Sequence, residues 1–399
     1  MTKRPFRSNP SVGIPCLVLL AACAGAASFE PGAGPAGASS GDLQASGESG
    51  DAAPLLPADL AGSTWQQLGV ATSSYLPDVI ATPSGFMALS QRGIGDARAP
   101  SARESHLYRS QNGIDWEHVD ISPDNSNLWL RGLAYGNGRY VLAGSRMGGQ
   151  GSVVFTSSDG NAWTELQVDP NDTSGLHRAV YVGDRFFAMS NFRTLLSSVD
   201  GDVWSIDDLP DTVVVQDVAF GGGQYLVVGN GAPQWSSDAR AWRATPLDCA
   251  LPGACISDPS GNVLQAGKNR AVYAEGRFYV DGASTTDGAT WDVTPGVLPM
   301  AYVDGYLLGS TADSELAFWR PGEATQHPLV RVSYRQALGP DAKLRWNGAM
   351  DRDDVTSENL PDDPMPATLS FPLPSGESCL SARCVVLGQQ LYLVTDAER

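Results

Sequence analysis

Lysine is nearly absent from this chain, with three residues in 399, at positions 3, 268 and 343. Histidine is almost as scarce, at His106, His118, His177 and His327. Acidic residues outnumber lysine and arginine by 44 to 26, for a formal net charge of −18. Such a chain does not track phosphate backbones, so nucleic acid is not an expected partner. The four histidines show no metal-ligand spacing, and exposed loop positions account for them most simply. No nucleophile elbow is present. Beyond the N-terminal segment no apolar run is long enough to span a membrane, and no amphipathic helical pattern emerges.

What is present begins at the N-terminus. Lys3, Arg4 and Arg7 precede an apolar stretch from Ser11 to Ala22 that Pro15 interrupts. The stretch is too short for a spanning helix and reads as a removable targeting segment. Leu20-Ala21-Ala22-Cys23 follows: an aliphatic residue, two small residues and a cysteine. This resembles the lipobox of bacterial lipoproteins. The resemblance implies cleavage after residue 22 and a diacylglycerol thioether on the Cys23 sulfur. Acyl chains contribute about 0.8 kcal/mol per buried methylene, so more than one holds the protein at a membrane. Cleavage removes three bases and no acids, and lowers the net charge to −21. Ala24 stands where Gram-negative lipoproteins retained at the inner membrane carry Asp, which by resemblance favours the outer membrane. Residues 23–60 are rich in Ala, Gly, Ser and Pro, and they read as a disordered tether.

Of the six cysteines, Cys16 leaves with the targeting segment and Cys23 takes the lipid. Cys249, Cys255, Cys379 and Cys384 remain, an even number in an exported chain, where disulfides persist. Local pairing, Cys249–Cys255 and Cys379–Cys384, is the simplest of three connectivities. A four-cysteine zinc site is the rival, although neither pair has two-residue knuckle spacing. Asp351-Arg-Asp-Asp-Val-Thr-Ser-Glu358 gathers hard oxygen ligands that could hold calcium, but it lacks the glycine of an EF-hand loop. A solvated acidic loop is the simpler reading, and no other cofactor is indicated.

Residues 61–399 repeat. Five segments share Ser/Thr-x-Asp-Gly-x-x-Trp with few departures. They carry Ser110, Asn112, Gly113 and Trp116; Ser157, Asp159, Gly160 and Trp163; and Ser198, Asp200, Gly201 and Trp204. Ser236, Asp238 and Trp242, with Ala239 in the glycine position, form the fourth, and Thr285, Asp287, Gly288 and Trp291 the fifth. The hydroxyl and carboxylate suit a tight turn, glycine supplies a positive φ, and Trp anchors the next strand between sheets. Ahead of each turn lies a short apolar strand, a Gly-rich turn and an aromatic-rich strand, as in residues 131–144, 177–190 and 217–229. Two hairpins per repeat make a four-stranded blade, and the blades make an all-β propeller. Inner hairpins fall near 78–90, 131–144, 177–190, 217–229, 270–281, 299–309 and 384–394, so seven blades are expected; six or eight stay open. The C-terminal hairpin lacks a turn motif, and Gly62-Ser63-Thr64-Trp65 supplies the missing half, closing the ring. The stretch 334–377 exceeds one outer hairpin and carries an insertion.

The five turns resemble Asp-box (BNR) repeats, found in sialidase-like propellers and in propellers of the photosystem II assembly-factor type. That resemblance covers about residues 62–395 and implies structural boxes at the blade periphery. Its catalytic residues do not carry over. The Arg-Ile-Pro signature ahead of the first box is missing, Arg92-Gly-Ile94 is no substitute, and no catalytic residue can be named. The leading expectation is a monomeric, membrane-anchored propeller that binds an envelope protein or glycan. A sialidase-like glycoside hydrolase and an assembly factor for an envelope complex are the alternatives.

Overall fold

In each short strand, side chains alternate between two faces, and in this chain both faces carry apolar residues. Ile80 turns to one neighbour while Val79 and Ala81 turn to the other. A sheet apolar on both faces must be covered on both, and a ring of sheets does this with one element type. The computed structural model describes residues 56, 60–68, 78–96, 99–122, 127–146, 151–169, 175–190, 194–209, 214–245, 255–257, 263–265, 270–294, 297–311, 315–323, 325–332, 345–346, 349–350, 368–370, 375–387 and 390–396. Among these residues there is no helix. Cys23, residues 24–55 of the expected tether, Cys249 and the Asp351–Glu358 stretch lie outside them.

Seven four-stranded blades form the ring. Blade I runs from its innermost strand Asp78–Thr82 through Gly85–Asp96 and Ala99–Ser110 to Asp115–Val119. Blade II comprises Leu128–Gly136, Arg139–Arg146, Ser152–Ser157 and Thr164–Asp169. Blade III comprises Leu176–Val182, Arg185–Ser190, Thr194–Ser198 and Ser205–Asp208. Val214–Gly221 opens blade IV, followed by Gln224–Asn230, Gln234–Ser236 and Arg243–Ala244. Blade V has Ala271–Ala274, Arg277–Val280, Ala283–Thr285 and Asp292–Val293. Blade VI has Val297–Val303, Tyr306–Thr311, Leu316–Trp319 and His327–Pro328.

Blade VII takes strands from three parts of the chain. Arg383–Leu387 and Gln390–Thr395 form its inner hairpin, and the N-terminal strand Thr64–Gln67 pairs antiparallel with the latter. The expected ring closure by both chain ends is therefore present. Its outermost strand, Val330–Val332, was not foreseen; it lies parallel to Thr64–Gln67. The long excursion before the last hairpin returns as Thr368–Ser370, a fifth strand on the outer edge of blade I.

Seven hydrophobic clusters fill the seven interfaces between neighbouring blades. Trp116, Trp163, Trp204, Trp242 and Trp291 each pack against the preceding blade. Trp65 does the same between blades VI and VII. The far end of the expected tether is corrected, because Leu56 and Leu60 are buried between blades VI and VII and the Leu56 amide donates to Asp304 Oδ2 at 2.9 Å. The loop assignment of the histidines is corrected: all four lie in strands, and His106 is buried. Strand pairing with its period of two, which their isolated positions in the sequence do not reveal, places them there.

Candidate functional site

The five repeated turns share one hydrogen-bonding arrangement. In the second, the Gly160 amide donates to Ser157 Oγ at 2.9 Å, and the amides of Asn161 and Ala162 donate to Asp159 Oδ1 at 2.8 and 2.9 Å. Asn112, Asp200, Asp238 and Asp287 collect the same two amides in the other four. These amide donors hold the carboxyls of Asp159, Asp200 and Asp287 below the usual range, and that of Asp238 down to about 2. The residue after the Asp or Asn is left-handed each time, Ala239 included at φ 55°. Its place against the preceding blade shows why it is small. A Cβ on Gly288 would lie 2.3 Å from the Trp235 ring, and Ala239 is itself buried between blades III and IV. The hydroxyl and one oxygen of the Asp or Asn side chain are thus spent on the turn itself.

Cys379 and Cys384 form a disulfide whose Cys379 amide donates to the Asn112 carbonyl at 2.9 Å. The bridge thus docks blade VII onto the first repeated turn of blade I.

The chemistry-bearing residues converge instead at the start of the innermost strands. Four of these strands slip register there by one residue, at Leu130/Gly132, Leu176/Arg178, Val215/Asp217 and Pro299/Ala301. Such a bulge re-aims the bypassed side chain, and bulges gather beside functional sites. The bypassed residues are Arg131, His177, Gln216 and Met300. Around His177 the structure assembles a basic rim. Burial pulls the His177 pKa down to about 4, helped by the nearby charges of Arg131 and Arg178 and opposed by the Val215 backbone. Arg178 is buried, and its Nε lies 3.4 Å from Asp217 Oδ1. The other oxygen of Asp217 accepts from the Ala271 amide at 3.1 Å, tying blade IV to blade V beside Arg270. Asp78 braces the next blade in the same way, accepting from the Leu133 amide at 2.8 Å.

A sialidase-like site would need arginines beside a Tyr–Glu pair. The chain has such a pair, Tyr302 donating to Glu275 at 2.9 Å. It stands at the opposite ends of the innermost strands from Arg131 and Arg178, so the two groups do not converge. Among the described residues no group of three or more His, Cys, Asp or Glu side chains forms a metal cage. The sequence carried a signal for the rim that motif reading passes over. Alternation of apolar residues loses step at Arg131, where Leu128 and Leu130 give way to Leu133.

No family model and no curated protein matches the chain. Among solved structures, YCF48 bound to D1 peptide is 14% identical with a TM-score of 0.46, covering 67% of this chain and 84% of its own. YCF48 from Cyanidioschyzon merolae is 11% identical with a TM-score of 0.44, covering 66% and 88%. The WD40 propeller domain of Doa1 is 11% identical with a TM-score of 0.45, covering 67% and 86%. The propeller assignment rests on the strand pairing itself.

Proposed function

We propose that the chain is an extracytoplasmic propeller, tethered to the outer membrane through an acylated Cys23. In this reading it binds an anionic group of an envelope protein or glycan at the Arg131–His177–Arg178 rim. The observation that carries the reading is that rim: two β-bulges bring Arg131 and a neutral His177 beside the Asp217-paired Arg178 at the ring's inner edge, in a chain with net charge −18. A local positive site in an acidic field admits anions selectively, because the surrounding surface repels them. Roles divide among the three residues. Arg178 is braced by Asp217 and presents a fixed guanidinium. Arg131 is exposed and supplies the contact charge. His177 stays neutral at neutral pH, so it shapes the rim and does not add charge.

Arrays of anionic glycans and acidic peptides, probed with the full chain, test this reading. Binding should weaken as salt is raised and should weaken again in R131A. Retained binding in both conditions would sink the assignment to this rim.

A further inference from the structure

The third strands of blades I and IV carry different residues at one equivalent position, opposite the third residue of the second strand. Arg109 pairs with Met87 in blade I, and Trp235 pairs with Leu226 in blade IV. Trp235 fills the seam to blade V, where its ring occupies the space beside Gly288 of the next repeated turn. Arg109 is exposed and reaches across its seam without filling it. Its Nη1 donates to Asn161 Oδ1 in the repeated turn of blade II at 2.6 Å. Its Nε and Nη2 donate to Glu117 Oε2 at 3.3 and 3.1 Å. Beside this bridge, between the first and second repeated turns, lies a cavity of about 550 Å³. That volume falls in the range of small-molecule sites.

The cavity sets hydrogen-bonding groups of both kinds over an apolar floor of Phe86, Met87 and Tyr140. Glu117 and Asn161 take three of the five guanidinium donors of Arg109, and two remain for a ligand. Glu117 Oε1 and Asp159 Oδ2 take no part in the bonds that hold Arg109 and the second turn. Gln111, which is exposed, adds donors and an acceptor on one planar group. Ser84 Oγ and Tyr140 Oη, 3.4 Å apart, add hydroxyls. An anion entering here meets the carboxylates of Asp115, Glu117 and Asp159, and a cation meets the fixed guanidinium of Arg109. A neutral polyhydroxylated ligand meets neither penalty. Its neighbouring hydroxyls, each donor and acceptor, match the paired groups of planar side chains. We propose that this cavity is a site for an uncharged saccharide. It is separate from the rim, because it lies beside the turns that follow the innermost strands while the rim lies at their start.

An array of uncharged oligosaccharides that includes chitotriose, cellotriose and maltotriose, probed with the full chain, tests the assignment; calorimetry then follows the strongest hit. Saturable binding is expected, and raising the salt should leave it unchanged. Affinity should fall about 10-fold or more in R109A, which removes hydrogen bonds from a charged donor. It should fall several-fold in Q111A and stay unchanged in R131A. R109A also loses the bridge to Asn161, so its melting curve checks that it folds; Q111A alters an exposed side chain outside that bridge. Salt-sensitive binding of anions, lost in R131A and kept in R109A, reads the rim alone, so the two sites fail independently. An array on which no uncharged saccharide binds, affinity unchanged in both R109A and Q111A, or binding that weakens with salt overturns the inference.

Discussion

His177 shows how one side chain can report the state of the rim. Its pKa is pulled from the ordinary 6.5 to about 4, chiefly by burial. The unfolded chain therefore binds the proton more readily than the folded one between those two values. Stability contributed by the neutral ring is fully present above pH 6.5 and is lost as the pH falls toward 4. Denaturant midpoints measured across that window should decline with acid in the native chain. In H177N the decline should be shallower over pH 6.5–4. Identical profiles would mean that burial of His177 is not felt in the folding equilibrium. The carboxyls of the repeated turns act lower on the scale. Held below the usual range, they stabilise the fold above the unfolded carboxyl pKa and lose that contribution as the pH drops toward about 2.

At the scale of the element, the repeated turn joins backbone geometry to inter-blade packing. Gly288 is left-handed at φ 71°, and the Trp235 ring occupies the space a side chain would need. G288A should cost about 3 kcal/mol by chemical denaturation, from left-handed strain together with overpacking. Gly223, at φ 75° in a hairpin turn, has nothing within 4 Å of its Cβ direction, so G223A should cost only about 1 kcal/mol. Equal costs would show that the seam adapts around the turn. The turns and the hairpins before them were legible in the sequence because each combines a local signal with a recurring spacing. Trp65 was legible as the missing half of a blade for the same reason. Val330–Val332 and Thr368–Ser370 were not, since two- or three-residue edge strands are chosen by the partner edge and not by their own pattern. The rim was half legible. Its residues opened the recognised hairpins, but a one-residue bulge leaves only a lost step in the alternation.

For the whole molecule, the seam between blades VI, VII and I determines whether the ring holds. Trp65 is fully buried, its ring lies 5.9 Å edge-on from Tyr392, and its Nε1 donates to Ser63 Oγ at 3.0 Å. Truncating such a ring costs about 3–5 kcal/mol. In W65A, hydrogen exchange should accelerate at residues 390–395 as much as at 64–67, because the two strands share one sheet. Acceleration confined to the N-terminal strand would show that the C-terminal hairpin holds without it. The pairing of Thr64 with Thr395 and of Gln67 with Tyr392 also sets an order in time. Translation produces the third strand of blade VII before any strand of blade I, its parallel neighbour Val330–Val332 only after blade VI, and its antiparallel partner Gln390–Thr395 last among the described strands. Blades I to VI can fold in turn as the chain lengthens, each on the one before. The Thr64–Gln67 strand therefore meets neither neighbour until blade VI has been made. Closure is thus the final event in assembly and the one with the longest loop to bring together.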